Sequence, residues 1–248
     1  MDERELGGSG IRVSRLILGC GNFGGIGSSP AFFGQGTSYD DAHRLLDAAW
    51  ELGITTFDTA DAYGGGRSES WLGDWLRTRS PEVRERVVVT TKTFNPMDEG
   101  ADRGLSRSRI HRQVETSLTR LGLERIPLYM AHDRDLGVPQ EETLQAFDEL
   151  LRAGRIGAVG ASNYDADALA EALEISRLEG LVRFEWAQNS FSLLEQDDRQ
   201  TVFPLCHEHG IGYTPFGPLA GGWLTGKYRR NETAPEGSRM TKRQALDC

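Results

Sequence analysis

Short runs of apolar and β-branched residues alternate along the chain with longer stretches in which apolar residues recur at helical spacing. In the stretch 40–52, the apolar residues from Leu45 to Trp50 fall on one face of a helix, and Gly53 stands where such a helix would end. The run 87–92 begins with continuous apolar residues, as expected of a strand buried on both faces of a parallel sheet. Strict alternation of the two patterns predicts βαβ units and an α/β fold.

The same pattern predicts seven parallel strands and five outer helices. The strands are expected at residues 16–19, 55–58, 87–92, 128–132, 156–162, 184–188 and 211–214. The helices are expected at residues 40–52, 106–121, 140–152, 166–178 and 200–209. Ser106 is the expected N-cap of the second helix, and Gly122 is expected to end it. Residues 4–13 surround a glycine-rich turn and predict a β-hairpin before the first strand.

No Pro- or Ser-rich linker divides the chain, so residues 1–248 are expected to form a single domain. Its length suits one parallel α/β barrel, although a doubly wound sheet could give the same alternation. Long glycine-rich segments at 21–38 and 94–104 predict loops, and long ordered loops are commonly functional.

Composition and charge narrow the class of protein. The chain has 28 basic and 37 acidic side chains, and its net charge of −9 argues against nucleic acid or an anionic membrane as a partner. No apolar run approaches the ~18 residues of a membrane span, and the acidic start is unlike a secretory signal. Three widely separated cysteines make neither a disulfide framework nor a zinc knuckle. We therefore expect a cytoplasmic protein without a membrane partner, and the sequence assigns no oligomeric state.

Polar side chains stand where the predicted strands end. In a parallel α/β barrel the active site lies at the carboxyl ends of the strands, so these residues are candidates for chemistry. They are Asp58, Lys92, His132, Ser162, Asn163, Gln188 and Tyr213, with Tyr63 in the loop after Asp58. A single charged residue at a strand end is usually a solvated cap or an ion-pair partner, but a series of them favours a functional site.

Four of these residues make chemical sense together as a tuned proton donor. A tyrosine has an ordinary pKa of about 10, which a nearby ammonium group lowers. Lys92 could supply that charge to Tyr63, and Asp58 could hold Lys92 in place. His132 could hydrogen-bond a substrate carbonyl oxygen and orient it toward Tyr63.

Motifs along nearly the whole chain resemble those of the aldo-keto reductases, in the same order. They lie at residues 57–64, 18–25, 91–92, 129–132, 160–163, 187–194 and 213–222. The segment 224–228 resembles the branch that contains bacterial aldo-keto reductases and potassium-channel β subunits. The resemblance implies a (β/α)8 TIM barrel whose bottom is closed by the hairpin at 4–13.

The resemblance also implies an activity, the reversible reduction of an aldehyde or ketone by a nicotinamide cofactor without a metal. Its partner would be a small-molecule carbonyl substrate. Asp58, Tyr63, Lys92 and His132 would form the catalytic tetrad, with Tyr63 as the proton donor. By resemblance alone, the cofactor would be NADPH rather than NAD.

The implied cofactor site joins strand ends to a glycine-rich loop. Ser162, Asn163 and Gln188 would hydrogen-bond the nicotinamide carboxamide, and Tyr213 would stack on the ring. Backbone groups between Gly217 and Gly222 would meet the pyrophosphate, since glycine lets the backbone approach closely. The full set of implied cofactor-binding residues is Gly21, Asn22, Phe23, Asp58, Ser162, Asn163, Gln188, Tyr213, Thr214, Pro215, Phe216, Gly217, Leu219, Gly222 and Lys227.

The family pattern breaks after the seventh strand. Residues 229–242 are polar and show no strand pattern, so the eighth βα unit is expected to be missing and the chain to be C-terminally truncated. The segment that grips the adenosine end in the family would then be missing too, and we expect weakened cofactor affinity. Two unpaired strand edges would remain in such a barrel.

Two other functions fit some of the same residues. A metal-dependent barrel hydrolase could use His132, Asp133, Asp135 and Asp58 as ligands, although Lys92 would then lie among them and no His-x-His pair occurs. A nicotinamide-binding regulatory barrel with little turnover would keep the cofactor residues without using the tetrad.

Overall fold

Seven parallel strands in chain order form the centre of the fold. A computed structural model describes residues 1–98 and 102–238. Its strands are β1 (Glu3–Glu5), β2 (Arg12–Ser14), β3 (Leu18–Gly19), β4 (Thr56–Asp58), β5 (Val88–Thr93), β6 (Ile126–Ala131), β7 (Ile156–Ser162), β8 (Trp186–Gln188) and β9 (Gly212–Tyr213). The parallel sheet runs in the order β3-β4-β5-β6-β7-β8-β9. In a doubly wound sheet the order of the strands would reverse at a switch point, and here it does not. The doubly wound alternative is therefore wrong, and the barrel prediction is confirmed.

Helices follow the strands and cover the outside of the sheet. They are α1 (Tyr39–Glu51), α2 (Arg67–Arg77), α3 (Pro81–Arg86), α4 (Arg107–Leu121), α5 (Gln140–Arg152), α6 (Ala166–Glu179) and α7 (Val202–His209). Short 3₁₀ helices span Pro30–Phe32, Tyr63–Gly66, Asp197–Arg199 and Ala220–Thr225. The five predicted helices are confirmed to within two residues at each end. The predicted elements did not include α2 or α3.

Ser38 and Ser106 both stand at helix N-caps, but they behave differently. Ser38 caps α1, because its hydroxyl accepts a hydrogen bond from the Asp41 backbone at 3.2 Å. Ser106 stands at the N-cap of α4 but its side chain makes no capping bond. The carboxylate of Glu142 on α5 accepts from the backbone of Arg107 instead, at 2.9 Å. The predicted Ser106 cap is therefore wrong in mechanism, although the helix begins where expected.

A β-hairpin lies against the bottom of the sheet. Strands β1 and β2 pair antiparallel, from Glu3 with Ser14 to Glu5 with Arg12. A small apolar cluster joins the hairpin to the inward faces of the central strands, and it is separate from the main core under the helices. The cluster contains Leu6, Val13, Leu128, Met130, Ala158 and Trp186. The predicted hairpin is confirmed, and it fills the amino-terminal end of the sheet.

Strands β3 and β9 stand at the two ends of the sheet order. Among the described residues no pairing joins β9 to β3. A cleft of about 370 Å³ lies between them, lined by the hairpin, by Leu16 and Ile17, and by residues from Gly212 to Pro218. Of the polar stretch at 229–242, the part beyond residue 238 lies outside the described residues. No helix of the described segments is long and apolar enough to cross a bilayer.

Candidate active site

Three charged or polar side chains converge where neighbouring strands end. Asp58 closes β4, Lys92 is the second-last residue of β5, and His132 directly follows β6. Parallel pairing places Asp58 beside Thr90, and Lys92 beside Met130, so the three ends lie at one edge. Lys92 is 0% exposed, and Asp58 and His132 are each 8% exposed. Charged groups this deeply buried need close partners.

Lys92 is held by a set of oxygen atoms. Its Nζ donates to Asp58 Oδ2 at 2.7 Å and to the Thr59 carbonyl at 2.8 Å. It also lies 3.5 Å from the hydroxyl of Tyr63. Burial acts to lower the pKa of Lys92, but Asp58 and Tyr63 outweigh it and the pKa is raised. Lys92 is therefore an ammonium group at neutral pH.

Tyr63 is brought to this edge by a tight turn after β4. It begins the 3₁₀ helix Tyr63–Gly66, in which Gly64 has a φ of 59°. A Cβ at Gly64 would lie 2.4 Å from the Phe23 carbonyl, so only glycine fits between the two loops. The Tyr63 hydroxyl then lies 3.5 Å from His132 Nε2, and the two rings meet edge to face.

Burial, more than charge, sets the proton affinities of Tyr63 and His132. Burial raises the pKa of Tyr63, and Lys92 acts in the opposite direction without outweighing it. Lys92 therefore acts in the predicted direction, but it does not bring the pKa of Tyr63 below its ordinary value. Burial, together with the charge of Lys92, lowers the pKa of His132 well below its ordinary value. At neutral pH Tyr63 keeps its proton and the imidazole of His132 is uncharged.

Two amide side chains from neighbouring elements contact the side chains of Asp58 and His132. Gln188, at the end of β8, donates to Asp58 Oδ1 at 3.2 Å, so both oxygens of that carboxylate are bound. Asn95, in the loop after β5, places its Nδ2 3.2 Å from Nδ1 of His132. The contact of Gln188 links a residue predicted for the cofactor to one predicted for catalysis.

A buried ionic network lies directly behind the tetrad, and the sequence reasoning missed it. Asp61 accepts from the Thr93 hydroxyl at 2.8 Å and lies 3.7 Å from the guanidinium of Arg109. Glu69, on α2, is 3.1 Å from Arg120 on α4. Asp61 and Glu69 are both 0% exposed. Burial and the charge of Glu69 raise the pKa of Asp61 to about 7, against the lowering effect of Arg109.

One signal in the sequence could have indicated part of this network. Asp61 lies inside the motif 57–64, on the same turn as Tyr63, and is a charged residue flanked by alanines. Arg109 and Glu69 gave no such signal, because each is an ordinary charged residue of a helix. Whether such a residue is buried depends on which face of the helix meets the sheet.

Residues with hydroxyl and amide side chains lie at the ends of the strands that follow His132 in the chain. Ser162 ends β7 and is 1% exposed. Asn163 follows it with a φ of 58° and donates from its side chain to the His132 carbonyl at 2.8 Å. Tyr213, on β9, donates its hydroxyl to Asp198 at 2.6 Å and packs edge to face on Phe203. Asp198 and Phe203 thus fix the ring of Tyr213, and neither was predicted.

A glycine-rich loop follows β9. Residues 214–219 lead into the 3₁₀ helix Ala220–Thr225, where Gly222 has a φ of 107°. A Cβ at Gly222 would lie 3.2 Å from Nζ of Lys227, which places that ammonium beside the loop backbone. The hydroxyl of Thr214 is buried and lacks a hydrogen-bond partner in the described structure. Pro215, Phe216, Gly217 and Leu219 belong to the same loop, and Phe216 and Leu219 are exposed.

The loop after β3 reaches the same edge from the other side. A Cβ at Gly21 would lie 3.5 Å from the Tyr63 ring, so this backbone borders the candidate proton donor. The Asn22 carbonyl accepts from the backbone of Thr37 at 2.8 Å. Phe23 is only 2% exposed and its side chain belongs to the main core. Gly21 is thus placed beside Tyr63, whereas the side chain of Phe23 is buried away from solvent in the core.

A sequence profile described as the Aldo/keto reductase family matches residues 15–247. The chain belongs to this family. Like other aldo/keto reductases it is an oxidoreductase, and the family uses nicotinamide cofactors.

Individual relatives of this aldo/keto reductase agree with the family match. It is 36% identical to the uncharacterized oxidoreductase YrpG of Bacillus subtilis, over 99% of this chain and 74% of the relative. It is 35% identical, over 96% of this chain and 67% of the relative, to a Schizosaccharomyces pombe chain provisionally named as a voltage-gated potassium channel subunit beta. The structure of aldo-keto reductase AKR11C1 from Bacillus halodurans, in its holo form, matches with a TM-score of 0.78 and 29% identity, covering 100% of this chain and 76% of that one.

The donor set at the strand ends fits the nicotinamide cofactor of an aldo/keto reductase. A carboxamide needs both donors and acceptors, which the hydroxyl of Ser162 and the amides of Asn163 and Gln188 provide. Lys227 brings a positive charge to the Gly222 backbone, as an anionic pyrophosphate requires in a chain with a net charge of −9.

The side chains predicted as ligands by the metal-hydrolase hypothesis do not form a metal site in the described structure. Asp135 uses its two oxygens for the backbone amides of Leu105 and Gly137, at 2.7 and 2.8 Å. Asp133 accepts from the backbone of Arg134. Within residues 1–98 and 102–238, no three His, Cys, Asp or Glu side chains are grouped as a metal site requires. The remaining carboxylate, Asp58, accepts from Lys92 at 2.7 Å.

Proposed function

We propose that the chain reduces an aldehyde or ketone to an alcohol with NADPH, and that Tyr63 supplies the proton. The observation that carries this proposal is the position of the Tyr63 hydroxyl, 3.5 Å from both Lys92 Nζ and His132 Nε2. Because the Tyr63 hydroxyl and His132 Nε2 are only 3.5 Å apart, one carbonyl oxygen could accept hydrogen bonds from both. The preference for NADPH over NADH is supported by the family resemblance.

The cofactor, when bound, supplies a hydride to the substrate carbon. Ser162, Asn163 and Gln188 would hold the carboxamide, and Tyr213 would lie against the ring. The loop from Gly217 to Gly222 would hold the pyrophosphate, with Lys227 as its counter-charge. Binding of this kind fixes the orientation of the reacting groups, which is itself a large contribution to rate.

Each tetrad residue then has a distinct task. Tyr63 is protonated at neutral pH and gives its proton to the carbonyl oxygen. The phenolate that remains is stabilised by the ammonium of Lys92, which Asp58 holds at 2.7 Å. His132, uncharged at this pH, orients the carbonyl oxygen by a hydrogen bond.

Tyr63→Phe tests the proposal directly. It removes the proton donor and keeps the ring, so we expect kcat for NADPH-dependent aldehyde reduction to fall by about 10²- to 10⁴-fold. Consumption of reduced nicotinamide is followed by absorbance with a panel of aliphatic and aromatic aldehydes, with NADPH and NADH compared side by side.

Tyr39→Phe is the matched control, because Tyr39 lies on α1 and its hydroxyl contacts only the exposed Asp74 among the hydrogen bonds described. It should leave kcat unchanged. Equal kcat for wild type and Tyr63→Phe would overturn the role of Tyr63. Cofactor binding without turnover of any carbonyl would favour the second candidate, a nicotinamide-binding subunit, which the potassium-channel relative suggests.

A further inference from the structure

Asn95 is a polar residue of the site that no strand end or motif pointed to. It lies two residues after β5. Its Nδ2 is 3.2 Å from His132 Nδ1 and 3.3 Å from the Ser28 hydroxyl. These two contacts use the two N–H groups of the amide, one for each acceptor.

The backbone of Asn95 is fixed from behind by the buried network. Arg109 is 1% exposed, and its guanidinium donates to the Asn95 carbonyl at 2.8 Å. The same guanidinium donates to the Thr93 hydroxyl at 2.7 Å, and that hydroxyl is bound to Asp61. The amide of Asn95 is thus presented to His132 by a rigid support.

Which nitrogen of His132 carries the proton decides what the ring can do. An uncharged imidazole has one N–H donor and one acceptor nitrogen. If a neighbouring group donates a hydrogen bond to Nδ1, then Nδ1 must accept it through its lone pair. The single hydrogen of the neutral ring is then on Nε2. Nε2 is the atom that faces the Tyr63 hydroxyl at 3.5 Å.

The two tautomers leave Tyr63 in different states. If Nε2 had no hydrogen, it would accept the Tyr63 hydroxyl hydrogen and turn it away from a substrate. If Nε2 carries the hydrogen, the Tyr63 oxygen accepts from His132 and Lys92, and its own hydrogen is free. Only in the second arrangement do Tyr63 and His132 each carry a hydrogen that can be donated to a carbonyl oxygen, since the Nε2–H of His132 can turn from the Tyr63 oxygen to the substrate when it binds.

We propose that Asn95 is a positioning residue that holds His132 as the Nε2–H tautomer by donating a hydrogen bond to Nδ1. The consequence for catalysis rests on the proposed reductase function, but the tautomer itself does not. Asn95 contacts no reacting atom. It acts through His132, in the way that outer residues fix the tautomer of histidines at other sites.

The tautomer is measured by ¹⁵N NMR of the histidine-labelled chain without added cofactor. The chain has five histidines, and His132→Gln identifies the resonances of His132 by their loss. In the wild type we expect the shift of a protonated Nε2 and an unprotonated Nδ1. Asn95→Asp keeps the shape but offers Nδ1 only acceptor atoms, so we expect the proton to be found on Nδ1.

Gln35→Glu is the matched control for the added charge. It makes the same amide-to-carboxylate change in the loop at 21–38, where Gln35 donates to Ala31 and does not contact His132. It should leave the His132 shifts as in the wild type. A protonated Nδ1 in the wild type, or an unprotonated Nδ1 in Asn95→Asp, would overturn the proposal.

The kinetic consequence is tested separately. With NADPH and an aldehyde, Asn95→Asp should lower kcat by about 10²-fold, the usual effect of losing one preorganised donor, while the Kd for NADPH stays the same. An unchanged kcat would overturn the catalytic consequence. If the wild type reduced no carbonyl compound, the proposed function would fail while the NMR result would still decide the tautomer.

Discussion

Asp61 and Glu69 are two carboxylates in the interior, directly behind the tetrad. Glu69 is well bound, since it accepts from Thr91 at 2.7 Å and from Arg120 at 3.1 Å. Asp61 is less well bound, because its Oδ1 lacks a hydrogen-bond partner among the described residues and Arg109 is 3.7 Å away. The raised pKa of Asp61, about 7, follows from burial beside a second acid.

Asp61→Asn tests this assignment through the pH dependence of stability. The pKa of Asp61 rises on folding from 3.8 to about 7, so the folded state holds more protons than the unfolded state between these values. The contribution of Asp61 is present below pH 3.8 and is lost as the pH rises through about 7. The amide that replaces the carboxyl group does not titrate. We therefore expect the free energy of unfolding of the variant, relative to wild type, to increase from pH 5 to pH 8.

The measurement is urea unfolding of both proteins across that pH range. Asp74→Asn is a suitable control, because Asp74 pairs with Arg77 on the exposed surface of α2. The free energy of unfolding of Asp74→Asn, relative to wild type, should not increase from pH 5 to pH 8. A constant difference between Asp61→Asn and wild type would mean that Asp61 has the same proton affinity in both states.

At the scale of elements, two serines at N-cap positions behave differently. Ser38 caps α1 with its own hydroxyl, whereas Ser106 leaves this task to Glu142 of the neighbouring helix α5. Both helices begin where the sequence pattern places them. The cap of α4 is tertiary, because the carboxylate comes from another helix, whereas the cap of α1 is local.

Alanine at these two serines should separate a local cap from a tertiary one. Ser38→Ala removes the acceptor for the Asp41 amide and should lower the free energy of unfolding by about 1 kcal/mol. Ser106→Ala removes no capping bond and should change it by less than about 0.5 kcal/mol. Urea unfolding of the two variants beside wild type decides this. Equal losses would contradict the difference between the two caps.

At the scale of the whole molecule, the N-terminal hairpin ties the start of the chain to its last strands. Gly7 has a φ of 57°, and a Cβ there would lie 1.9 Å from the Glu185 carbonyl and 2.7 Å from the Gly212 backbone. The hairpin turn therefore lies directly against the backbone beside β8 and β9. Its apolar face also packs on Trp186 and Met130 in the floor of the sheet.

Gly7→Ala should show how much this contact stabilises the fold. The new methyl group cannot fit against Glu185, so the hairpin must move, and we expect a loss of more than about 2 kcal/mol. Gly10→Ala is the comparison in the same turn, because Gly10 has a φ of 69° and a Cβ there would meet no atom of the described residues within 4 Å. It should lose only the ~1–2 kcal/mol of left-handed backbone strain. Losses of equal size in urea unfolding would show that the contact of Gly7 adds nothing.

Much of the fold could be predicted from periodicity, because a parallel sheet buries continuous apolar strands and covers them with one-sided helices. Helices α2 and α3 were missed for a local reason. α2 follows three glycines at 64–66, which indicate a loop, and α3 has only six residues. The sequence also predicted that Asp58, Lys92 and His132 lie together, because the carboxyl ends of the strands of a parallel barrel meet at one edge. Tyr63 was included because it lies in the loop directly after Asp58.

The sequence by itself determined the order of strands and helices, the hairpin and the side chains at the strand ends, since these depend on spacing along the chain. Tertiary structure decided which charged side chains are buried, and it brought Asn95 to His132 and Asp198 to Tyr213. It also decided that burial raises the pKa of Tyr63 despite Lys92. The reason is that the burial of a side chain and its contacts depend on which helix faces and loops meet the sheet. The periodicity of the sequence does not give the distances between residues that are far apart in the chain.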